Sequence, residues 1–228
     1  MSRPKDPHAR SALMTAARAV FFRRGISGAR IEDITRRCHL SKGAFYLHFR
    51  SKTALFGELV AELTVKLDEQ IQARTRAIEA YVRKHGRIGP RDIRARSARY
   101  AGLLELETHF DRQVLELLWE YRDVFSVLVR GAQGTPFSNW LWLMVDRELL
   151  RTQQTFDALR STGACRDDVP REVLSSLVVG TYLLIANQMA RMKTQPRFDV
   201  WVEAIARVIR EGIAPDAAMS RTRLRSVS

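Results

Sequence analysis

The sequence predicts an all-helical protein with a small basic head and a larger helical body. Three observations carry this. Apolar residues recur at helical spacing along most of the chain, no run shows sustained period-two alternation, and all seven prolines fall where that periodicity pauses. Pro4, Pro7, Pro90, Pro136, Pro170, Pro196 and Pro215 leave His8 to Gly89 free of proline. With 228 residues, 46% of them hydrophobic, the chain can bury one large or two small cores, which excludes intrinsic disorder as its main state.

Ala9, Leu13, Ala16, Ala17, Val20 and Phe21 set a first helix from about His8 to Arg24, with Arg23 and Arg24 suited to its C-terminal dipole and Gly25 to a left-handed stop. Two short helices follow, at about 31–37 and 41–48, separated by Cys38-His39-Leu40. Ile31, Ile34, Leu40, Phe45 and Phe49 point to one small core. Ser41 and Ser51 are placed to accept from the free amides of the helices they precede. A long helix then runs from Lys52 towards Lys84, with Leu55, Leu59, Leu63, Leu67, Ile71 and Ile78 on its apolar side, and Gly86 and Gly89-Pro90 end it. Further helical stretches are expected at about 91–108, 110–130, 138–161, 169–192 and 198–212, and a mobile basic tail over 214–228. The uncharged stretch 173–190 is barely long enough to cross a membrane and carries Ser175, Ser176, Thr181, Asn187 and Gln188, so it reads as a buried helix of a soluble protein.

Charge is unevenly placed. Residues 1–52 hold 12 Lys and Arg against 3 Asp and Glu, whereas residues 53–220 hold 23 against 22. A surplus of +9 in the first segment points to a polyanionic partner for the head and an ordinary globular body behind it. Two short helices joined by a three-residue turn have the spacing of a helix-turn-helix, whose second helix enters the major groove.

Within that frame, Ser41-Lys42-Gly43-Ala44-Phe45-Tyr46-Leu47-His48-Phe49, then Arg50-Ser51-Lys52 and Leu55-Phe56, resemble the recognition helix and following helix of the TetR family of bacterial repressors. The resemblance is sharp over about residues 8–56 and architectural beyond. It implies a homodimer whose head (1–52) binds a palindromic operator and whose body (53–213) dimerises and holds a small apolar or amphipathic effector that spreads the heads. Small Gly43 and Ala44 admit close approach to the groove, and Ser41 and Lys42 can donate to phosphate or base edges. Tyr46 and His48 match family positions that hold phosphate, and Lys52 adds a charge at the first turn of the long helix. Phe45 and Phe49 read as core. Ala29 stands where family members often have a capping Thr, and His39 where they often have Gly; each change costs about 1 kcal/mol. Arg30, beside Ala29, is a candidate for reaching a phosphate.

In the body, Trp119, Trp140, Met144, Tyr182 and Asn187 are candidate effector contacts in an aromatic-rich zone that also serves as core. Leu177, Gly180, Leu184, Trp201, Ile205, Val208 and Ile209 on the last two predicted helices are the candidate dimer surface. The basic run 83–99 has only Asp92 as an acid and reads first as a solvated face, with an anionic ligand as the alternative. Glu105 and His109, spaced i,i+4, read as a surface pair, and no metal or other cofactor is expected. Cys38 and Cys165 read as buried small hydrophobes. No Ser-His-Asp order, Gly-rich phosphate loop or paired catalytic carboxylate occurs, so an enzyme is not expected, and a cytoplasmic location follows from the cysteine usage and the N-terminal sequence. Two other readings compete: a ligand-binding or scaffold protein with a decayed DNA-reading head, and a sequence-indifferent architectural DNA binder.

Overall fold

The computed structural model describes residues 6–130 and 132–213; the expected tail, 214–228, lies outside them. Ten α-helices and no strand occur among the described residues: α1 (Pro7–Gly28), α2 (Ile31–Arg37), α3 (Lys42–His48), α4 (Lys52–His85), α5 (Pro90–Ala95), α6 (Ala98–Glu120), α7 (Arg122–Arg130), α8 (Trp140–Ser161), α9 (Arg171–Met189) and α10 (Phe198–Ile213). The all-helical expectation is met.

The helices begin where side chains can take their free amides. Asp6 Oδ1 accepts from His8 N at 2.9 Å with Pro7 in the first turn, Ser41 Oγ from Ala44 N at 3.0 Å, and Ser51 Oγ from Ala54 N at 3.0 Å. Gly25 interrupts α1 at φ 65°, as its position predicts, but helical turns resume and carry the element four residues past the expected end at Arg24. Gly86, at φ 78°, follows the end of α4.

Two further boundaries differ from expectation. The stretch 91–108 is divided, because Arg96 adopts a left-handed conformation (φ 46°, ψ 46°) that closes α5, and α6 then runs through residue 109 to Glu120. The next break falls at Tyr121 rather than near 109. Neither Arg96 nor Tyr121 has the composition of a helix stop; tertiary hydrogen bonds hold both places. Asp92 accepts from Gly89 N (3.1 Å), Ser97 Oγ (2.9 Å) and the Arg99 guanidinium, while Ser97 N bonds Asp92 O at 3.0 Å.

Contacts group the chain into two compact units. The first comprises residues up to Glu69, Val114–Asp146 and Leu183–Gln195; the second comprises Gln70–Gln113, Arg147–Tyr182 and the residues from Pro196 on. In the first, Leu13, Ala17, Phe21, Ile34, Phe45, Leu55, Phe56, Leu59 and Leu63 form a core in which Phe21 and Phe56 meet edge to face at 5.4 Å. Ile31 and Leu40, also expected there, are only half-buried. In the second, Phe156, Cys165 and Leu174 cluster with Leu159, Val169 and Val178. Gly102 leaves room for Tyr81, whose hydroxyl donates to Arg99 O at 2.6 Å; a Cβ at Gly102 would lie 2.6 Å from that hydroxyl.

The expectation that 173–190 is a buried helix is corrected. Helix α9 leaves Val173, Leu177 and Leu184 exposed, the last two at 63% and 68%. An uncharged helix buries only the faces its own chain covers, and composition does not report which faces those are. No helix among the described residues is long and apolar enough to cross a membrane.

Candidate nucleic-acid interface

The head is built around the α2–α3 turn. Cys38 N and Leu40 N both bond Thr35 O, at 3.2 and 2.9 Å, and His39 takes φ 57° between them, the left-handed position where family members often carry glycine. Closing the turn in this way leaves α3 anchored by Phe45, which is wholly buried and lies 5.8 Å from the Phe49 ring. One buried side chain on a two-turn helix fixes which face looks out. Ser41, Lys42, Gly43 and Tyr46 are exposed and Ala44 is half-buried, with Tyr46 at 52%. A Cβ at Gly43 would meet nothing nearer than Ser41 Oγ at 3.6 Å, so the smallness of Gly43 serves no packing within the chain.

Charges on α2 and α3 are partly matched within the head. Lys42 Nζ pairs with Glu32 Oε1 at 2.7 Å, which holds the ammonium up and the carboxyl down from their ordinary pKa values. Asp33 pairs with Arg24 and, at 3.6 Å, with Arg36. Arg30 occupies the N-cap of α2 with an exposed side chain and makes no capping bond, so α2 starts without a side-chain cap, in keeping with Ala29 and Arg30 at this end.

His48 and Lys52 are placed differently from the outward face of α3. His48 is half-buried, and its Nδ1 is enclosed without a hydrogen-bond partner, beside a recess of about 280 Å³ lined by Asp6, Pro7, Arg10, His48 and Glu58. Lys52 Nζ donates to Ser27 O at 2.8 Å and Ala29 O at 2.7 Å, pinning the carbonyls between α1 and α2. Sequence spacing carries no sign of this bond, which spans 25 residues.

The largest feature that sequence reasoning missed joins α1 to α7 within the first unit. Arg18 reaches both oxygens of Asp123, at 2.8 and 2.6 Å, donates to Glu120 O, and lies 4.9 Å over the Tyr121 ring. Tyr121 is buried, its hydroxyl donates to Glu62 at 2.7 Å, and Lys66 crosses its other surroundings to reach Glu120 at 2.7 Å. Partners about a hundred residues apart leave no pattern in the sequence.

The five candidate effector residues divide between the units. Trp119, Trp140, Met144 and Asn187 belong to the first and are half-buried; Arg122 lies 3.9 Å over the Trp119 ring and Arg130 donates to Asn187 Oδ1 at 3.3 Å. Tyr182 belongs to the second, hydrogen-bonded to Asp111 and raised in pKa by burial and that carboxylate. Of the candidate dimer residues, Leu177, Leu184 and Val208 are exposed, whereas Gly180, Trp201, Ile205 and Ile209 are half-buried. A Cβ on Gly180 would meet nothing within 4 Å. No group of three metal-ligating side chains occurs among the described residues. Burial pushes both thiols, Cys38 and Cys165, up in pKa, although only Cys165 is fully buried.

Comparison with known proteins gives this head relatives. The family described as bacterial regulatory proteins, tetR family, matches residues 13–59. The HTH-type transcriptional repressor DhaR of Mycobacterium sp. (strain GP1) is 38% identical over 64 residues, covering 28% of this chain and 32% of its own length. The match spans less than a third of each of the three curated relatives found. Across the whole fold, a TetR-like regulator from Rhodococcus sp. RHA1 superimposes with a TM-score of 0.63 at 17% identity, over 92% of this chain and 98% of that one. The ketosteroid transcriptional regulator KstR2 of Mycobacterium tuberculosis does so with 0.64 at 18% identity, over 90% and 94%. The head thus carries the sequence pattern and the full chain carries the architecture, and the protein is a member of the TetR family of bacterial regulatory proteins.

Proposed function

We propose that the chain is a sequence-specific, homodimeric transcriptional regulator that represses from a palindromic operator and is released by a small apolar or amphipathic effector. The observation that carries this is the division of α3: Phe45 locked inside, and Ser41, Lys42, Gly43 and Tyr46 presented outward. In this reading Ser41, Lys42, Gly43 and Ala44 face base edges, while Arg30, Tyr46, His48 and Lys52 hold phosphates. Lys52 keeps a third ammonium hydrogen beyond its two carbonyl bonds. Residues 1–52 read DNA, and 53–213 dimerise and bind effector.

Support for the homodimer comes from the uncovered faces of α9 and α10. Leu177, Gly180 and Leu184 recur on one side of α9, and Trp201, Ile205, Val208 and Ile209 on one side of α10. An exposed apolar surface of this kind gains about 25 cal/mol per Å² when a partner covers it. Trp119, Trp140, Met144, Tyr182 and Asn187 are the proposed effector contacts.

Selection of bound sequences from a random duplex library tests the reading. A recovered palindrome bound at least a hundredfold more tightly than random DNA at the same salt concentration is the expected result. Equal affinity for all duplexes would make the protein an architectural binder, and no binding would leave a ligand-binding body with an idle head.

A further inference from the structure

The second unit contains a charged constellation that the DNA-reading function does not use. From α4, Arg74 Nη1 reaches Asp111 Oδ1 of α6 at 2.9 Å, and Arg74 Nη2 reaches Glu107 Oε2. Tyr182 of α9 hydrogen-bonds Asp111, and Arg151 of α8 acts on Glu107 electrostatically while its own guanidinium is forked onto Glu148 at 2.9 and 2.7 Å. Four helices of one unit thus contribute ionisable groups to one place.

Two observations indicate that this place is a binding site rather than a sealed ion-pair network. Burial is the largest influence on Arg74, Glu107 and Tyr182, so all three are crowded by protein. Yet 27% of the Arg74 side chain and 30% of the Glu107 side chain remain accessible. Crowding together with free surface describes the wall of a concavity. The second observation is a shortage of donors. Both guanidinium groups are spent on carboxylates, Arg74 and Arg151 face the three acids Glu107, Asp111 and Glu148, and Glu107 Oε1 has no hydrogen-bond partner among the described residues. One turn before Arg74, Gln70 donates through Nε2 to Gln113 O at 3.2 Å while its Oε1 is enclosed with no partner. An excess of one negative charge and of buried acceptors disfavours an anion and calls for a donor-bearing cation.

We infer that this concavity binds the effector through its head group, and that the head group is an organic cation, an ammonium or amidinium, seated on Glu107. The inference rests on the effector-release reading above and adds the chemistry of the ligand. Asp111 and Tyr182 keep Arg74 turned to one side, so that the free oxygen of Glu107 is the acceptor left for the ligand, and the apolar part of an amphipathic effector extends away from it.

Three ten-carbon probes on the full-length protein test this: decylammonium, decanol and decanoate, titrated by calorimetry, with DNA release from a library-selected duplex read separately. Decylammonium is expected to bind at least tenfold more tightly than either other probe. Glu107→Gln should weaken decylammonium at least tenfold and change decanol less than twofold, and Glu107→Asp, which keeps the charge, should retain most of the affinity. Unfolding midpoints within a few degrees of the parent certify both variants as folded. Decanoate binding as tightly as decylammonium, no decylammonium binding, or a Glu107→Gln variant that binds it normally would each overturn the assignment. If decanol or decanoate alone binds and releases DNA, the regulator reading stands and the cation assignment is wrong. If decylammonium binds through Glu107 but no bound probe releases DNA, the site assignment stands and effector release fails.

Discussion

Arg18 of α1 holds both carboxylate oxygens of Asp123 of α7, at 2.8 and 2.6 Å, with about a quarter of each side chain exposed. A two-point, partly desolvated ion pair orients as well as attracts, because a planar guanidinium accepts a carboxylate in one plane. It fixes α7 against the first helix of the DNA-reading head within the same unit. Asp123→Asn should cost roughly 1 to 2 kcal/mol, allowing for partial exposure. Urea unfolding would show this, and a double-mutant cycle with Arg18→Met should recover most of it as coupling.

Lys52 and Lys42 should separate on substitution. Lys52→Ala is expected to weaken operator and random DNA alike and to reduce the salt slope by roughly 0.9 for each phosphate left without its ammonium. It should also lower the unfolding midpoint, because the Ser27 and Ala29 carbonyls lose their donor. Lys42→Ala should shift base preference in a repeated library selection while leaving the midpoint in place. An unchanged selection would remove Lys42 from the base-reading set.

Replacing Leu177 and Val208 together by Lys should give a folded monomer at micromolar concentration in sedimentation, with operator affinity reduced at least tenfold. Both side chains are exposed in the single chain, at 63% and 72%, so the change costs little within a protomer. A dimer that survives it would place the contact elsewhere.

Glu107 carries a pH dependence. Burial pushes its carboxyl above the ordinary range, with Arg74 opposing. The native state therefore keeps a proton that the unfolded chain has already lost, so this stability is fully present below the unfolded pKa and disappears as pH rises through the raised native value. Glu107→Gln removes the dependence. The variant's melting temperature relative to the parent should rise from about pH 4 to about pH 7. A constant difference across that range would contradict the raised value.

Helices α1, α3 and α4 were legible because their signals are local: Asp6, Ser41 and Ser51 cap, Gly25 and Gly86 stop, and Phe45 and Phe49 alternate inward with outward-facing neighbours. Tyr121 and Arg96 were not legible. Each interrupts a helix through contacts to residues elsewhere, and each has the composition of a helix interior. The same holds for the site. The recognition face follows from the spacing within nine residues, whereas the Arg74–Glu107–Asp111–Tyr182 constellation draws on three helices whose order in the chain says nothing of their meeting. Aromatic side chains drew attention to Trp119 and Trp140, but the unsatisfied acceptors lie among residues that look like ordinary solvated charges.

Asp92 has an effect on how the protein behaves as a colloid. It is the sole acid between residues 83 and 99, and its oxygens are occupied by Gly89, Ser97 and Arg99. Arg83, Lys84, Arg87, Arg91, Arg94 and Arg96 are left facing water with no acid of their own segment to neutralise them. Such a strip gathers counterions from the buffer. At low ionic strength like strips repel and keep molecules dispersed, whereas multivalent anions such as citrate or sulfate bridge them, so the choice of buffer anion governs the concentration at which this protein stays in solution.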